Sequence, residues 1–301
     1  MHRSGTSSVT RAVNLLGVFL GDESKLAGRG VDNPEKFWEH ADIVALQGRL
    51  LAQLNRRWDA AFPLPENWHL NMAIRPFRDE LKKLISRDFA GQPIWAWKDP
   101  RSCLLMPLWR DILDELQIEL SCVFVVRSPV DVKNSLAKRD QIPANKATGI
   151  WFNYSLTALN DTGGVRTVFV NYDQFLTSWE TELRRVAAAL NFDWPTDEKH
   201  LHATMSSFLR PNLRHHQSTE ADLRNVAPPA RKLYELLLEA SAQSDARNEH
   251  FEKIVSELVV DFRAYADFFE SELNLALKPP FVSRTLQRWK KSFRKRFSEK
   301  N

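Results

Sequence analysis

Three short apolar runs, Ile94 to Trp97, Ser121 to Val126 and Val165 to Val170, constrain this chain more than any other feature, because stretches of helical period separate them. Runs this short, rich in β-branched and aromatic residues, read as strands buried on both faces. Strands that alternate with helices are joined by crossovers, which build a parallel sheet. The expected class is therefore α/β, a parallel sheet flanked by helices. The spacing predicts helices over Thr6 to Leu16, Ala41 to Trp58, Phe77 to Phe89, Leu104 to Gln117, Val130 to Lys138 and Trp179 to Leu190. After Pro195 the pattern is helical only, from Pro229 to Ala242 and Glu249 to Leu275, until Lys278, Pro279 and Pro280 break it. This organisation predicts a core at 1–195, a helical appendage at 196–280 packed on the core, and a tail at 281–301.

A chain of 301 residues with 43% hydrophobic content can bury a full core. No apolar run reaches the ~18 to 20 residues that span a bilayer, which excludes an integral membrane protein built on helices. Cys103 and Cys122, the two cysteines, exclude a disulfide framework and an all-cysteine zinc site; both are expected as buried reduced thiols. The polar start, Met1 to Ser8, has none of the zones of a secretory signal, so a cytoplasmic location is expected. The net charge of +4 conceals an asymmetry: Val282 to Asn301 carries eight Lys or Arg against one acid, while the first 281 residues carry 34 bases against 37 acids. Within that tail, Leu286, Trp289, Phe293 and Phe297 fall opposite Lys290, Lys291, Arg294 and Arg296, the pattern of a basic amphipathic helix suited to an anionic membrane surface. The ten tryptophans fit core anchors or a ligand groove equally as types, and core anchors are the expectation.

Two segments carry phosphate chemistry. His2-Arg3-Ser4-Gly5-Thr6-Ser7-Ser8 opens directly into a helix, which points backbone N–H groups and the positive helix end at one spot, with Arg3, Ser4, Thr6 and Ser7 adding donors. It is no Walker A loop: Thr6 follows Gly5, and the cation precedes the glycine as Arg3. The second segment, Cys122 to Pro129, is a strand that delivers Arg127 at its carboxyl end, where open α/β sheets bind ligands, with Ser135 eight residues on. A metal-dependent phosphotransferase favours an acid at such a place, whereas Arg127 offers a planar fork for a phosphate.

These two segments together resemble the 5′-phosphosulfate loop and the 3′-phosphate site of sulfotransferases that use 3′-phosphoadenosine-5′-phosphosulfate (PAPS). The first is similar to the family's Arg/Lys-Ser-Gly-Thr-Thr/Ser loop, and the second to its Arg-x-Pro pattern with a serine eight positions after the arginine. Trp151 with Tyr154, and Asn171 to Leu176 after a strand, resemble later landmarks. The resemblance covers roughly residues 1–195 and lies nearest the bacterial members with Lys-Asp-Pro-Arg, here Lys98 to Arg101. It implies a P-loop-like fold in which Arg3, Ser4, Gly5, Thr6 and Ser7 hold the 5′-phosphosulfate, Arg127 and Ser135 hold the 3′-phosphate, and Lys98 stabilises charge on the leaving phosphate. It further implies an apolar strand ahead of the loop. Met1 stands where that strand would end, so the first strand is expected to be missing, with an in-frame start further upstream to supply it.

An acceptor hydroxyl needs a base, and Glu39 and His40 stand just before an amphipathic helix. Family members use either a histidine or a glutamate; Glu39 is the first choice, with Glu23 and His40 as alternatives. Asp99 and Arg101 are expected to pair with each other. Trp68, His69 and Asn71 are weaker candidates for an acceptor groove. The patch Leu209 to His216 contains a His-His pair without a carboxylate or cysteine at ligand spacing, so no metal is assigned. The sequence thus points to sulfuryl transfer from PAPS, without a metal, to a hydroxyl or amine of a small-molecule, glycan or lipid acceptor, with no nucleic-acid partner. The competing readings are a small-molecule kinase with an atypical phosphate loop and an inactive nucleotide- or glycan-binding protein.

Overall fold

Apolar alternation dictates how the two observed strands sit between helices. In the computed structural model, which describes residues 1–28, 36–209, 218–243 and 246–276, with side chains to 268, β1 (Ser121–Val126) pairs in parallel with β2 (Arg166–Asn171), Ser121 opposite Arg166 and Val126 opposite Asn171. Side chains alternate across a strand. Val168 and Val170 accordingly join a core formed with α1 (Thr6–Leu15), α8 (Trp179–Leu190) and α9 (Glu198–Phe208). Phe169 faces the other way, 5.5 Å from the ring of Phe124 and 5.6 Å from that of Phe251 at the start of α12 (Glu249–Ala276). That face is covered by α11 (Pro228–Ser241), which also packs on α6 (Ala144–Asp161).

The crossover from β1 to β2 runs through α5 (Pro129–Asp140) and α6. Ser128 caps α5 by accepting from the Val130 amide, and Pro129 takes the first helical position, where its missing N–H costs nothing. Outside this unit lie α2 (Ala41–Gln53), α3 (Arg75–Asp88) and α4 (Ser102–Glu115), with α2 on α3 and α4 on α6. The short helices α7 (Tyr172–Thr177) and α10 (Glu220–Arg224) complete the set among the described residues.

The expected third strand is not formed. Of Ile94 to Trp97, only Trp95 makes a bridge, parallel to Phe19, and the rest is extended without a ladder. A strand exists only with a neighbour to bond to, and this segment has a single-residue neighbour on one edge. The expected helix to Trp58 stops at Gln53, with Asn55 at a positive φ of 53°. The 18-residue α6 was not anticipated, because it is buried nearly all round and has no amphipathic period to reveal it.

The chain divides into two compact units, Met1–Val259 and Val260–Asn301. The first crosses residue 195 without a break, and α11, inside the stretch read as an appendage, packs on both strands. In the second, the described residues continue α12 and expose Val260, Tyr265 and Phe268. No described helix is long and apolar enough to cross a membrane. The tail 281–301 and residues 210–217 of the His-His patch lie outside the described residues.

A buried polar knot holds the extended segment in place. Gln47, fully buried on α2, donates to Asp99 Oδ2 at 2.9 Å and accepts from Trp109 Nε1 and Ser102 Oγ. Trp109 in turn stacks on Trp97, their ring centroids 3.9 Å apart. Gln47→Leu leaves a buried carboxylate oxygen and an indole N–H each short of a partner, at a cost of about 1–3 kcal/mol. Urea unfolding should show that loss as a lower midpoint at unchanged slope; an unchanged midpoint would mean that the knot is not under load.

Candidate functional site

The site forms where three chain segments end. The loop Met1 to Gly5 leads into α1; β1 ends at Arg127; and the extended segment ends at Lys98. Gly5 makes the loop possible: it is the N-cap of α1 at φ 82°, and a Cβ there would fall 2.1 Å from Cε2 of the Tyr172 ring. Arg3, also at positive φ (62°), is held by its carbonyl, which accepts from the Arg127 guanidinium at 2.8 Å. Ser4 is buried.

The end of α1 is electrically open. It has no side-chain cap and no acidic residue in its first turn. The Ser8 and Val9 amides both return to the Gly5 carbonyl, which leaves the Thr6 and Ser7 amides at the half-buried positive end of the helix. Cations surround this point. Lys98 Nζ donates to Ser7 Oγ at 3.2 Å, and Arg3 Nε donates to Ser135 Oγ at 2.7 Å. The Arg127 guanidinium lies 5.0 Å over the Tyr172 ring, and among the described residues its buried Nε has no hydrogen-bond partner. The neighbouring His2 imidazole is held well below its ordinary pKa by burial first, and then by the charges of the amino terminus, Arg139, Lys98 and Arg101. An uncapped helix end, an orphaned guanidinium N–H and a positive field are together the chemistry of an anion site.

Glu39 is the acid at this site. Its carboxylate accepts from Lys98 Nζ at 2.6 Å, with both side chains largely buried. Burial pushes the Glu39 carboxyl above the usual range, against the pull of the lysine ammonium. The two alternatives lie elsewhere. Glu23 is exposed and pairs with Lys36 at 2.7 Å. His40 is fully buried, its Nε2 3.2 Å from Asp88 Oδ2 and its ring 5.4 Å from that of Phe89, and burial lowers its pKa. Asp99 and Arg101 pair, as expected, through two bonds of 2.7 and 2.9 Å.

The structure distributes other anticipated residues differently. Ser135 bonds Arg3, not Arg127, so it adjoins the loop directly. Trp151 and Tyr154 act as supports: the Trp151 indole donates to the Arg127 carbonyl and the Tyr154 hydroxyl to the Trp58 carbonyl. Asn171 caps α7, which places Tyr172 beneath Gly5. Asn71 caps the short turn at Met72–Ile74, Trp68 is buried, and His69 lies 3.9 Å from Asp111; the three build local structure. Both cysteines are free thiols, as expected, but half-buried rather than buried; desolvation still pushes the Cys122 thiol up to about 12.

Two features escaped the sequence reading. Gln47 orients the Asp99 turn; its signal was a polar residue within the apolar stripe of Ile43, Leu46, Leu50 and Leu51. His40, Asp42 and Asp88 each bring a potential metal-ligand atom within 4.8 Å of one another. Arg87 bonds both aspartates and Lys25 bonds Asp42, so cationic side chains already balance the charge of this cluster.

No family model, curated protein or solved structure matches the chain.

The loop geometry yields a stability prediction. Gly5→Ala places a methyl against the Tyr172 ring and forces a non-glycine residue to a positive φ, which alone costs about 1–2 kcal/mol. Thermal melting should register the sum of strain and clash, and the double variant with Tyr172→Ala should recover the clash part as a non-additive term. Strict additivity of the two changes would show that the ring does not restrain the loop.

Proposed function

We propose that this chain is a sulfotransferase of the P-loop-like α/β fold, moving a sulfuryl group from PAPS to an acceptor hydroxyl or amine by in-line transfer. The observation that carries the reading is the ring of Arg3, Lys98 and Arg127 around the uncapped start of α1, with the Glu39 carboxylate on the lysine. In this reading the loop Arg3 to Ser7 takes the 5′-phosphosulfate, and Arg127, its Nε unspent, takes the 3′-phosphate together with Ser135.

The step balances without a metal. The acceptor oxygen or nitrogen attacks sulfur, the bond from sulfur to the bridging oxygen of the 5′-phosphate breaks, and adenosine 3′,5′-bisphosphate leaves. Glu39 accepts the acceptor proton, and Lys98 offsets the charge that grows on the leaving phosphate. The ion pair between them prepares both roles: an incoming phosphosulfate draws the ammonium away and frees a carboxylate whose burial makes it a stronger base. Acceptors of small-molecule, glycan or lipid class fit the proposal, at a cytoplasmic location where the basic tail contacts an anionic membrane surface.

The reading rests on recognition of a 3′-phosphate. Adenosine 3′,5′-bisphosphate should raise the melting temperature far more than AMP or ATP, without magnesium. Charge-assisted bonds are worth about 1.5–3 kcal/mol, so Arg127→Ala should weaken the bisphosphate by about tenfold to a hundredfold and leave AMP nearly unchanged. Lys98→Ala should keep donor binding and lose turnover, because its contact strengthens in the transition state. Equal stabilisation by ATP, or magnesium-dependent ATP consumption, would replace this reading with a kinase; tight bisphosphate binding without transfer to any acceptor pool would mark an inactive binder.

The acid limb of the reaction supplies a separate check. Glu39 must be ionised to accept a proton, and its carboxyl titrates above the ordinary glutamate range, so activity should fall on acidification at a higher pH than an ordinary glutamate would give. Glu39→Gln should remove both the limb and most of the rate. A limb left in place in that variant assigns the base to another group.

A further inference from the structure

The later turns of α12 carry an apolar stripe that faces water. Val260 and Phe268 are 65% and 60% exposed, Ala264 midway between them is exposed, and Tyr265 stands at the edge of the stripe. Residues four apart share a face of a helix, and this face is turned away from the buried Val255 and Leu258. Its margins are acidic: Asp261 and Asp267 are exposed beside it, and from Val260 to Ala276 four acids stand against one base, Arg263.

The sequence beyond α12 supplies the complement. Pro279 and Pro280 stop the helix, and after them Val282, Leu286, Trp289, Phe293 and Phe297 recur at steps of three and four, the period of one helical face. Lys290, Arg294 and Arg296 flank that face, in a tail of eight bases against one acid. Stripe and tail thus match in apolar period and oppose in charge, and both belong to the second unit, Val260–Asn301.

We propose that the exposed stripe of α12 is the docking surface for the chain's own basic tail, which folds back on it as an antiparallel helix. The connection, 277–280, has the length that joins two helices in a hairpin. It sets the register: with Ala276 opposite Phe281, each step along the tail is one step back along α12. Trp289 then falls opposite Phe268, Phe293 opposite Ala264 and Phe297 opposite Val260, so each exposed position of the stripe receives an aromatic ring and the bulk of Phe293 meets a small residue. Arg284, Arg288, Lys291 and Lys295 recur at the same steps on the other side of the tail and stay in water. Contact with an anionic membrane is then made by these outward charges while the aromatic residues remain on α12. The inference is independent of the reaction the site performs.

The test uses the full chain with two alternative cysteine pairs, each bond located by peptide mapping. Ala264→Cys with Phe293→Cys sets two thiols face to face across the hairpin, and Ala264→Cys with Lys295→Cys sets the second thiol on the outer side at nearly the same distance along the chain. With oxidised glutathione the first pair should close within a monomer about tenfold faster than the second, because a disulfide forms only where the Cβ atoms point at each other. Trp289→Asp, a change in the tail alone, should speed amide exchange from Val260 to Phe268 by about fivefold or more. Equal closure of the two pairs, or exchange unchanged by Trp289→Asp, overturns the proposal. Closure only between two chains assigns the stripe to a second copy and overturns it as well. Slow closure of both pairs, in a protein whose binding to anionic vesicles is lost in Trp289→Asp, assigns the aromatic face of the tail to the membrane and overturns it too.

Discussion

The Arg127 guanidinium, bonded at 2.8 Å to the Arg3 carbonyl, ties the loop ahead of α1 to the carboxyl end of β1. Two residues of that loop hold positive φ: Gly5 adopts it freely, whereas at Arg3 it persists only where surroundings over-determine it. Here the surroundings are Arg127 from one side and the Tyr172 ring from the other, themselves in contact at 5.0 Å. The Trp151 indole, by bonding the Arg127 carbonyl, carries the same constraint back into α6. The loop, the strand end and the packed helix behind it are one mechanical unit.

Electrostatics follow from that unit. An uncapped helix start is stabilised by negative charge, yet the Glu39 carboxylate is committed to Lys98 instead. The result is a positive centre with an acid at its margin rather than at its focus. An anion that enters meets the helix end and the Arg127 Nε, which has no hydrogen-bond partner among the described residues, and it competes with Glu39 for the lysine. The same separation of charge explains why Glu39 and His40, adjacent in sequence, end in opposite environments: one faces the cationic cluster, and the other is sealed against Phe89 and Asp88.

The extended segment Ile94 to Trp97 shows how far a neighbour controls local structure. Its residues have the composition of a strand, but with Phe19 bridging a single residue on one side and a cavity on the other, no ladder forms. Aromatic packing holds it instead, through Trp95 stacked on Phe89 and Trp97 on Trp109. Three of the tryptophans, Trp68, Trp109 and Trp151, are buried core anchors, and Trp95 and Trp97 line a cavity.

The sequence by itself determined the α/β class, both strands to within a residue, most helices to within a few residues, and the three segments that meet at the site, because hydrophobic period, turn residues and motif spacing are local properties. Glu39 beside Lys98, Ser135 beside Arg3 and Gln47 beneath Asp99 were decided only by tertiary structure, since each contact joins residues 52 to 132 positions apart and no local pattern encodes such a separation. Helix α6 was hidden for a related reason: a helix buried on every side has no polar face to mark its period. The incomplete sheet belongs to the same class of fact, because whether an apolar run becomes a strand depends on the partner beside it and not on its own residues.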